Sequence, residues 1–213
     1  MSIKRIGILG AGRAGTALAR AAAAAGIEVR IAGSRPPRMM KYHLAQYASR
    51  ATGVLAEEIA EDVDLVVLMV PQEELGDIDV SSLAGTLLVD ATNRWEDEPL
   101  PDWLEASLDA GLSSSEGIAA RFKSSHVVKA LNHISHWDMD ADRATKQSAQ
   151  RALGVASDNK QYAQIVSELT KALGFWPVLL PSLAAGRVLE PQGPVFNQVL
   201  DAESLRRLSG TQG

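Results

Sequence analysis

The feature that most restricts the fold is a short apolar run that breaks into three glycines at fixed spacing. Ile6, Ile8 and Leu9 are bulky apolar residues of the kind that form a strand buried on both faces. Gly10-Ala11-Gly12-Arg13-Ala14-Gly15 follows, a match to G-x-G-x-x-G. From about Arg13 to Ala25 the chain is almost all alanine and leucine, a strong helix former with little bulk to hold it off a sheet, and Gly26 closes it. Strand, glycine turn, helix and second strand together are the context a dinucleotide-binding turn requires. Gly10 would permit the tight turn, Gly12 would let a pyrophosphate approach the backbone, and Gly15 would let helix lie close to strand. The helix N-terminus would add unpaired N–H groups and a positive dipole end. A purely structural turn is the alternative.

The end of the second strand, Glu28 to Ala32, selects the cofactor. A carboxylate about 20 residues past the turn usually holds the ribose 2′-hydroxyl of NAD. This chain instead has Gly33-Ser34-Arg35, with Arg38 close behind. A hydroxyl and a guanidinium suit a 2′-phosphate, and two charge-assisted hydrogen bonds would favour NADP over NAD by roughly a hundredfold. A solvated basic loop around Pro36-Pro37 is the competing interpretation.

Beyond this unit, strands alternate with helical segments, which predicts an α/β fold: a Rossmann-type doubly wound, mostly parallel sheet with a small C-terminal α/β extension. Residues 1–135 would form the NADP-binding domain and 136–213 a smaller region closing the acceptor cleft. Gly53-Val54-Leu55, Asp64 to Val70, Thr86 to Asp90 and Val127 to Leu131 read as strands. Leu153 to Ala156 and Trp176 to Leu180 read the same way, with a helix from Lys160 to Leu173 behind Ser157-Asp158-Asn159 and a last helix from Val195 to Leu208. Asp138 to Ala149 also reads as helical. In such sheets ligands lie outside the carboxyl ends of the strands. Val70-Pro71-Gln72, Ala91-Thr92-Asn93 and Leu131-Asn132-His133 should therefore share the rim with Gly10 to Gly15. Pro71 would be a stiff wall, and Asn93, Asn132 and His133 polar groups beside the nicotinamide and its acceptor. The bland alternative is that asparagine is an ordinary turn residue.

Other chemistries are weakly supported. A formal net charge of −5 with scattered basic residues argues against nucleic-acid or acidic-membrane partners. The chain has no cysteine, so thiolate catalysis, Cys-ligated zinc and disulfides are excluded, in keeping with a cytoplasmic protein. Glycines interrupt the N-terminal apolar run too soon for a signal peptide, and Leu65 to Val70 is too short to span a bilayer. His133, His136, Asp138 and Asp140 lack a supporting metal-ligand pattern, so no metal is expected. The four tryptophans, Trp95, Trp103, Trp137 and Trp176, read as core or interface residues, with Trp137 placed just past the rim. Tyr42, His43 and Tyr47 could stack on an adenine, although an aromatic stripe at this spacing is more often core. The apolar C-terminal strand and helix could form a homodimer contact.

The chain resembles the NADP oxidoreductases dependent on coenzyme F420. The likeness is carried by Gly10 to Gly15, Ala32-Gly33-Ser34-Arg35 and Val66 to Pro71. It continues through Asp90-Ala91-Thr92-Asn93, Val128-Lys129-Ala130-Leu131-Asn132, Val155-Ala156-Ser157-Asp158 and Leu183 to Pro191. The resemblance implies hydride transfer between NADPH and a deazaflavin (F420-like) or flavin-like ring held face to face with the nicotinamide, a reaction needing orientation more than a catalytic triad. In that family a histidine often stands where this chain has Asn132, with His133 here next door. Two further readings stay open: an NADP(H)-binding redox sensor without turnover, and a dehydrogenase of small hydroxy or imino acids. For the latter, roughly 80 residues after the sheet leave little room for the usual helical domain.

Overall fold

The computed structural model describes residues 3–95, 98–141 and 151–211. Eight strands form one sheet: β1 (Arg5–Leu9), β2 (Glu28–Ala32), β3 (Thr52–Gly53), β4 (Leu65–Leu68), β5 (Leu87–Asp90), β6 (His126–Ala130), β7 (Ala152–Ala156) and β8 (Trp176–Leu180). Their order is β3-β2-β1-β4-β5-β6-β7-β8, and every pairing is parallel except β6 with β7. Helices α1 (Arg13–Ala24), α2 (Pro37–Tyr47), α3 (Asp102–Asp109), α4 (Ser114–Arg121), α5 (His136–Ala141), α6 (Lys160–Ala172) and α7 (Ala202–Ser209) connect and cover them. The expected α/β doubly wound fold is borne out.

The central strands carry apolar residues on both faces, so helices must cover each side. Ile6, Ile8, Leu65, Val67 and Val89 meet Leu18 and Ala22 of α1, and the same layer continues to Val166 and Leu169 of α6. Val66, Leu68 and Leu88 point the other way, onto Leu104 of α3, Ile118 of α4 and Phe122 just past its end. A third cluster packs Ala152, Ala156, Val178 and Leu180 against Leu189 and Leu205 of α7. Residues 136–213 thus add their strands to the edge of the sheet that residues 1–135 begin. The parallel-to-antiparallel switch at β6–β7 brings the start of β7 to the same rim as the end of β6.

Some elements differ from their expected bounds. β3 is only two residues long, paired with Arg30 and Ile31, because Val54 already leaves the ladder after one further bond to Ile31. The last helix starts at Ala202 rather than Val195, since Asp201 caps it by accepting from the Ser204 N–H. Helix α6 starts where expected, with Asn159 accepting from the N–H groups of Gln161 and Tyr162. Of the segment expected to be helical from Asp138, α5 covers the start, and 142–150 lie outside the described residues. No tryptophan is in the core: Trp95, Trp137 and Trp176 are exposed and Trp103 is half-buried beneath the Arg121 guanidinium. At the outer edge, the Trp176 N–H donates inward to Arg151 O, so Pro177 presents its ring nitrogen outward. Among the described residues, no helix is long and apolar enough to cross a membrane.

Candidate functional site

The three glycines of the first turn each answer a different steric demand. Gly10 has a φ of 124°, and a methyl group there would overlap the carbonyl oxygen of Met69. At Gly15 a methyl would overlap the carbonyl oxygen of Gly10, so α1 can lie against β1 only without a side chain at this position. Gly12 is the opposite case, with nothing within 4 Å of where a Cβ would stand. Helix α1 has Gly12 as an N-cap with no side-chain cap, and its first bond runs from Thr16 N–H to Gly12 O. The N–H groups of Arg13, Ala14 and Gly15 therefore precede any intrahelical acceptor. An open approach, uncapped N–H groups and a dipole end are what a pyrophosphate requires, and the turn fits one.

A cleft of about 810 Å³ extends from this turn. Gly10, Ala11, Gly12, Gly33, Ser34, Arg35, Val70 and Pro71 line it, so the ends of β1, β2 and β4 meet there as the strand order requires. Arg38 does not join them. It lines a separate shallow hollow with Lys41, Ala45 and Ser49, because α2 begins at Pro37 and its helical phase turns Arg38 away. The cleft face of α2 is instead Met39, Met40 and His43. His43 Nε2 donates to Ala11 O at 2.8 Å and so ties α2 to the glycine turn. Tyr42 is largely exposed, and neither it nor Tyr47 lines the cleft. Glu57, Glu74, Asp77 and Asp79 form an acidic wall of the cleft that sequence reasoning missed, since they come from short 3-10 turns and their caps after β3 and β4. An i, i+4 reading of Met39 and His43 from the end of β2 was the available signal for the α2 wall.

The rim beyond Pro71 is closed by side-chain bonds. Gln72 is fully buried and its Nε2 donates to Thr92 Oγ1 at 3.0 Å, so it braces the turns after β4 and β5 and does not line the cleft. Asn93 and Asn132 form a reciprocal clasp: Asn93 Nδ2 donates to Asn132 O at 2.8 Å, and Asn132 Nδ2 donates to Asn93 Oδ1 at 3.0 Å. Asn132 Nδ2 also donates to Leu189 O, which fixes the C-terminal segment to the same point. Leu131, at φ 63°, makes the sharp bend that lets this happen.

His133 lies inside the protein, not in the cleft wall. It is 1% exposed, its Nδ1–H donates to Asn132 Oδ1 at 3.2 Å, and its Nε2 accepts from the Gly154 N–H at 3.1 Å. The antiparallel β7 passes directly behind it, a neighbour that local sequence does not announce. Both ring nitrogens are used and the ring is neutral. Burial, then the charges of Arg151 and Lys129, push its pKa from 6.5 down to about 3. Between those values the unfolded chain binds a proton that the native state does not, so stability falls as pH falls, by about 1.4 kcal/mol per pH unit. Urea unfolding at pH 7.5 and pH 5 should therefore show a loss of roughly 2 kcal/mol that a His133→Gln variant lacks. Equal pH slopes for the two proteins would refute the assignment.

Beneath the clasp sits a fully buried ion pair. Lys129 Nζ lies 3.1 Å from Asp90 Oδ2 and donates to Thr92 O at 2.8 Å, both side chains being 0% exposed. Asp90 accepts further bonds from Thr92 N–H at 2.9 Å, Thr92 Oγ1 at 2.7 Å and the Ser115 hydroxyl. Removing either charge would leave the other buried and unpaired, a cost of about 3–5 kcal/mol. Among the described residues no three His, Asp or Glu side chains gather as metal ligands.

Residues 5–94 match the family model described as "NADP oxidoreductase coenzyme F420-dependent", which bears out the resemblance over that part of the chain. The chain is 30% identical over 188 residues to metalloreductase STEAP3 of Rattus norvegicus, covering 87% of this chain and 36% of that protein. It thus spans about a third of that relative's length. Among solved structures, a hypothetical protein, SMa0349, from Sinorhizobium meliloti is 28% identical, with a TM-score of 0.78 over 94% of this chain and 96% of that one. A putative F420-dependent NADP reductase from Arthrobacter sp. fb24 superposes with a TM-score of 0.69 over 87% and 88% of the two chains. At 23% identity it supports the fold alone.

Proposed function

We propose, from a chain whose residues 5–94 match an NADP oxidoreductase family, that this protein binds NADP(H) in the 810 Å³ cleft and passes hydride to or from a planar ring of the deazaflavin (F420-like) or flavin type. The observation that carries the reading is the meeting of Gly12, Ser34 and Arg35 in one cleft, with no carboxylate at the end of β2. The pyrophosphate would rest on the N-terminus of α1 above Gly12, with Ala11, Arg13 and Ala14 around it. Ser34 and Arg35 would hold the 2′-phosphate by charge-assisted hydrogen bonds. Val70 and Pro71 would give the dinucleotide a stiff apolar wall. When bound, the nicotinamide supplies or receives the hydride: NADPH gives the oxidised ring both electrons with one hydrogen and becomes NADP⁺, and the ring takes its second hydrogen as a proton from solvent. The protein's share is orientation and exclusion of water, which for hydride transfer accounts for most of what a protein can add.

Asn132 and His133 would act at the acceptor end through the backbone they fix, since their side chains are already engaged within the protein. The same observation favours a second reading, an NADP(H)-binding redox sensor. No side chain of that pair is left over to handle a proton on an acceptor.

Stopped-flow mixing of NADPH-loaded protein with coenzyme F420, flavin mononucleotide and riboflavin separates the two. Loss of NADPH absorbance in step with reduction of one ring is the expected result. NADPH binding without hydride loss to any acceptor would favour the sensor, and no NADPH binding would remove both.

A further inference from the structure

The buried pair of Asp90 and Lys129 does not line the cleft, yet it joins more of the rim than any other group described above. Lys129 projects from β6, and its ammonium reaches the carboxylate at the end of β5 and the carbonyl of Thr92 in the turn beyond. Asp90 then holds Thr92 twice and the Ser115 hydroxyl at the start of α4. Thr92 in turn receives Gln72, so the turn after β4 is included. Next along the chain, Asn93 makes the clasp with Asn132 across the ends of β5 and β6. The C-terminal segment closes on the same post, because a methyl at Gly186 would stand 3.2 Å from both Cβ and Cγ of Lys129. Ser114 beside it binds Glu190 from that segment through its hydroxyl at 2.7 Å.

The geometry points to Lys129 as a positioning residue for hydride transfer. Its ammonium sets the height of the Thr92–Asn93 turn, and through the clasp it sets the spacing of the strand ends between which the acceptor ring must lie. Two observations separate this from ordinary core stabilisation. Among the described residues, the network is confined to the turns after β4, β5 and β6 and the elements that cover them, and Ser34, Arg35 and the glycine turn share none of its bonds. An apolar side chain would also fill the space, but it could not hold a backbone carbonyl and a carboxylate at once, and leaving those buried groups unmatched is costly. The inference rests on the hydride-transfer reading. It requires loss of Lys129 to damage the chemical step while leaving NADPH affinity in place.

The chain contains no cysteine, so a single introduced thiol can be modified selectively. Lys129→Cys is purified in denaturant, alkylated with 2-bromoethylamine to a lysine analogue carrying the ammonium, and refolded beside an unmodified sample and wild type. The unmodified variant should bind NADPH within about threefold of wild type, yet pass hydride to the acceptor about a hundredfold more slowly, the scale of a misplaced reacting group. Aminoethylation should restore most of that rate. If neither sample refolds, Asn93→Ala decides, because it opens the clasp while leaving the ion pair intact and should show the same division between binding and rate. An unchanged rate, a parallel fall in NADPH affinity, or no rescue by the aminoethyl group would overturn the inference. Wild type that binds NADPH but reduces no ring would overturn the hydride-transfer reading itself, and this inference with it.

Discussion

Gly15→Ala is expected to abolish NADPH binding and to destabilise the whole chain, whereas Gly12→Ala is expected to abolish binding alone. The contrast follows from what a methyl group meets at each site. At Gly15 it would overlap the carbonyl oxygen of Gly10, a backbone atom that cannot swing aside. Relief requires α1 to lift from β1, opening the layer in which Leu18 and Ala22 pack on Ile6 and Ile8. Overpacking of this kind costs about 1–3 kcal/mol where side chains can adapt and more where they cannot. Gly12 has ordinary backbone angles (φ −77°, ψ −165°) and open space around it, so alanine fits without strain. The methyl would nevertheless stand where a diphosphate must approach the helix N-terminus. Thermal melts and calorimetric titration with NADPH check both halves. A Gly12→Ala protein that binds normally would remove the diphosphate from this turn. A Gly15→Ala protein that melts like wild type would show that helix and strand are not so tightly apposed.

Arg35→Ala should weaken NADPH binding by tenfold to a hundredfold while leaving NADH binding near its wild-type value. Only the phosphorylated dinucleotide carries a dianion for the guanidinium to meet, and a charge-assisted hydrogen bond of this type is among the stronger ones available. Arg38→Ala should change neither affinity by more than about twofold, the range of exposed substitutions away from a site. This divides the two arginines that adjacent sequence positions would group together. Titration of the three proteins with both dinucleotides is the check, and equal losses for NADPH and NADH in Arg35→Ala would take the 2′-phosphate away from the end of β2. The acidic wall of Glu57, Glu74, Asp77 and Asp79 sharpens this contrast, because without Arg35 a 2′-phosphate would face lining carboxylates with no lining cation to offset them.

The difference between these arginines illustrates where sequence reasoning stops. The ends of β1, β2 and β4 are legible because each is a short apolar run cut off by glycine or proline, and a parallel sheet sends such ends to one rim. Arg38 turns away because its direction depends on the phase of a helix that begins at Pro37, which its distance from β2 does not reveal. Asn132 and His133 are legible as the turn that follows β6, but their partners, and the inward direction of His133, are not. Gly154 and Leu189 reach them only through the antiparallel β7 and the segment after β8, and no local pattern encodes that register. Asp90 and Lys129 stand 39 residues apart on neighbouring strands. In isolation, Asp90 looks like a polar residue ending an apolar run and Lys129 like one interrupting it. Only the pairing of β5 with β6, which sets Asp90 opposite Lys129, turns two strand residues into one buried pair.

The imino acid at the free end of the sheet bears on how this molecule behaves at high concentration. A strand from a second copy, laid along β8, would look for a donor at Pro177 and find a ring carbon instead. Sideways growth into a continuous ribbon is thereby discouraged at its first rung. Self-association, where it occurs, is directed to side-chain surfaces, and fibrous aggregation from this edge is opposed by a single residue.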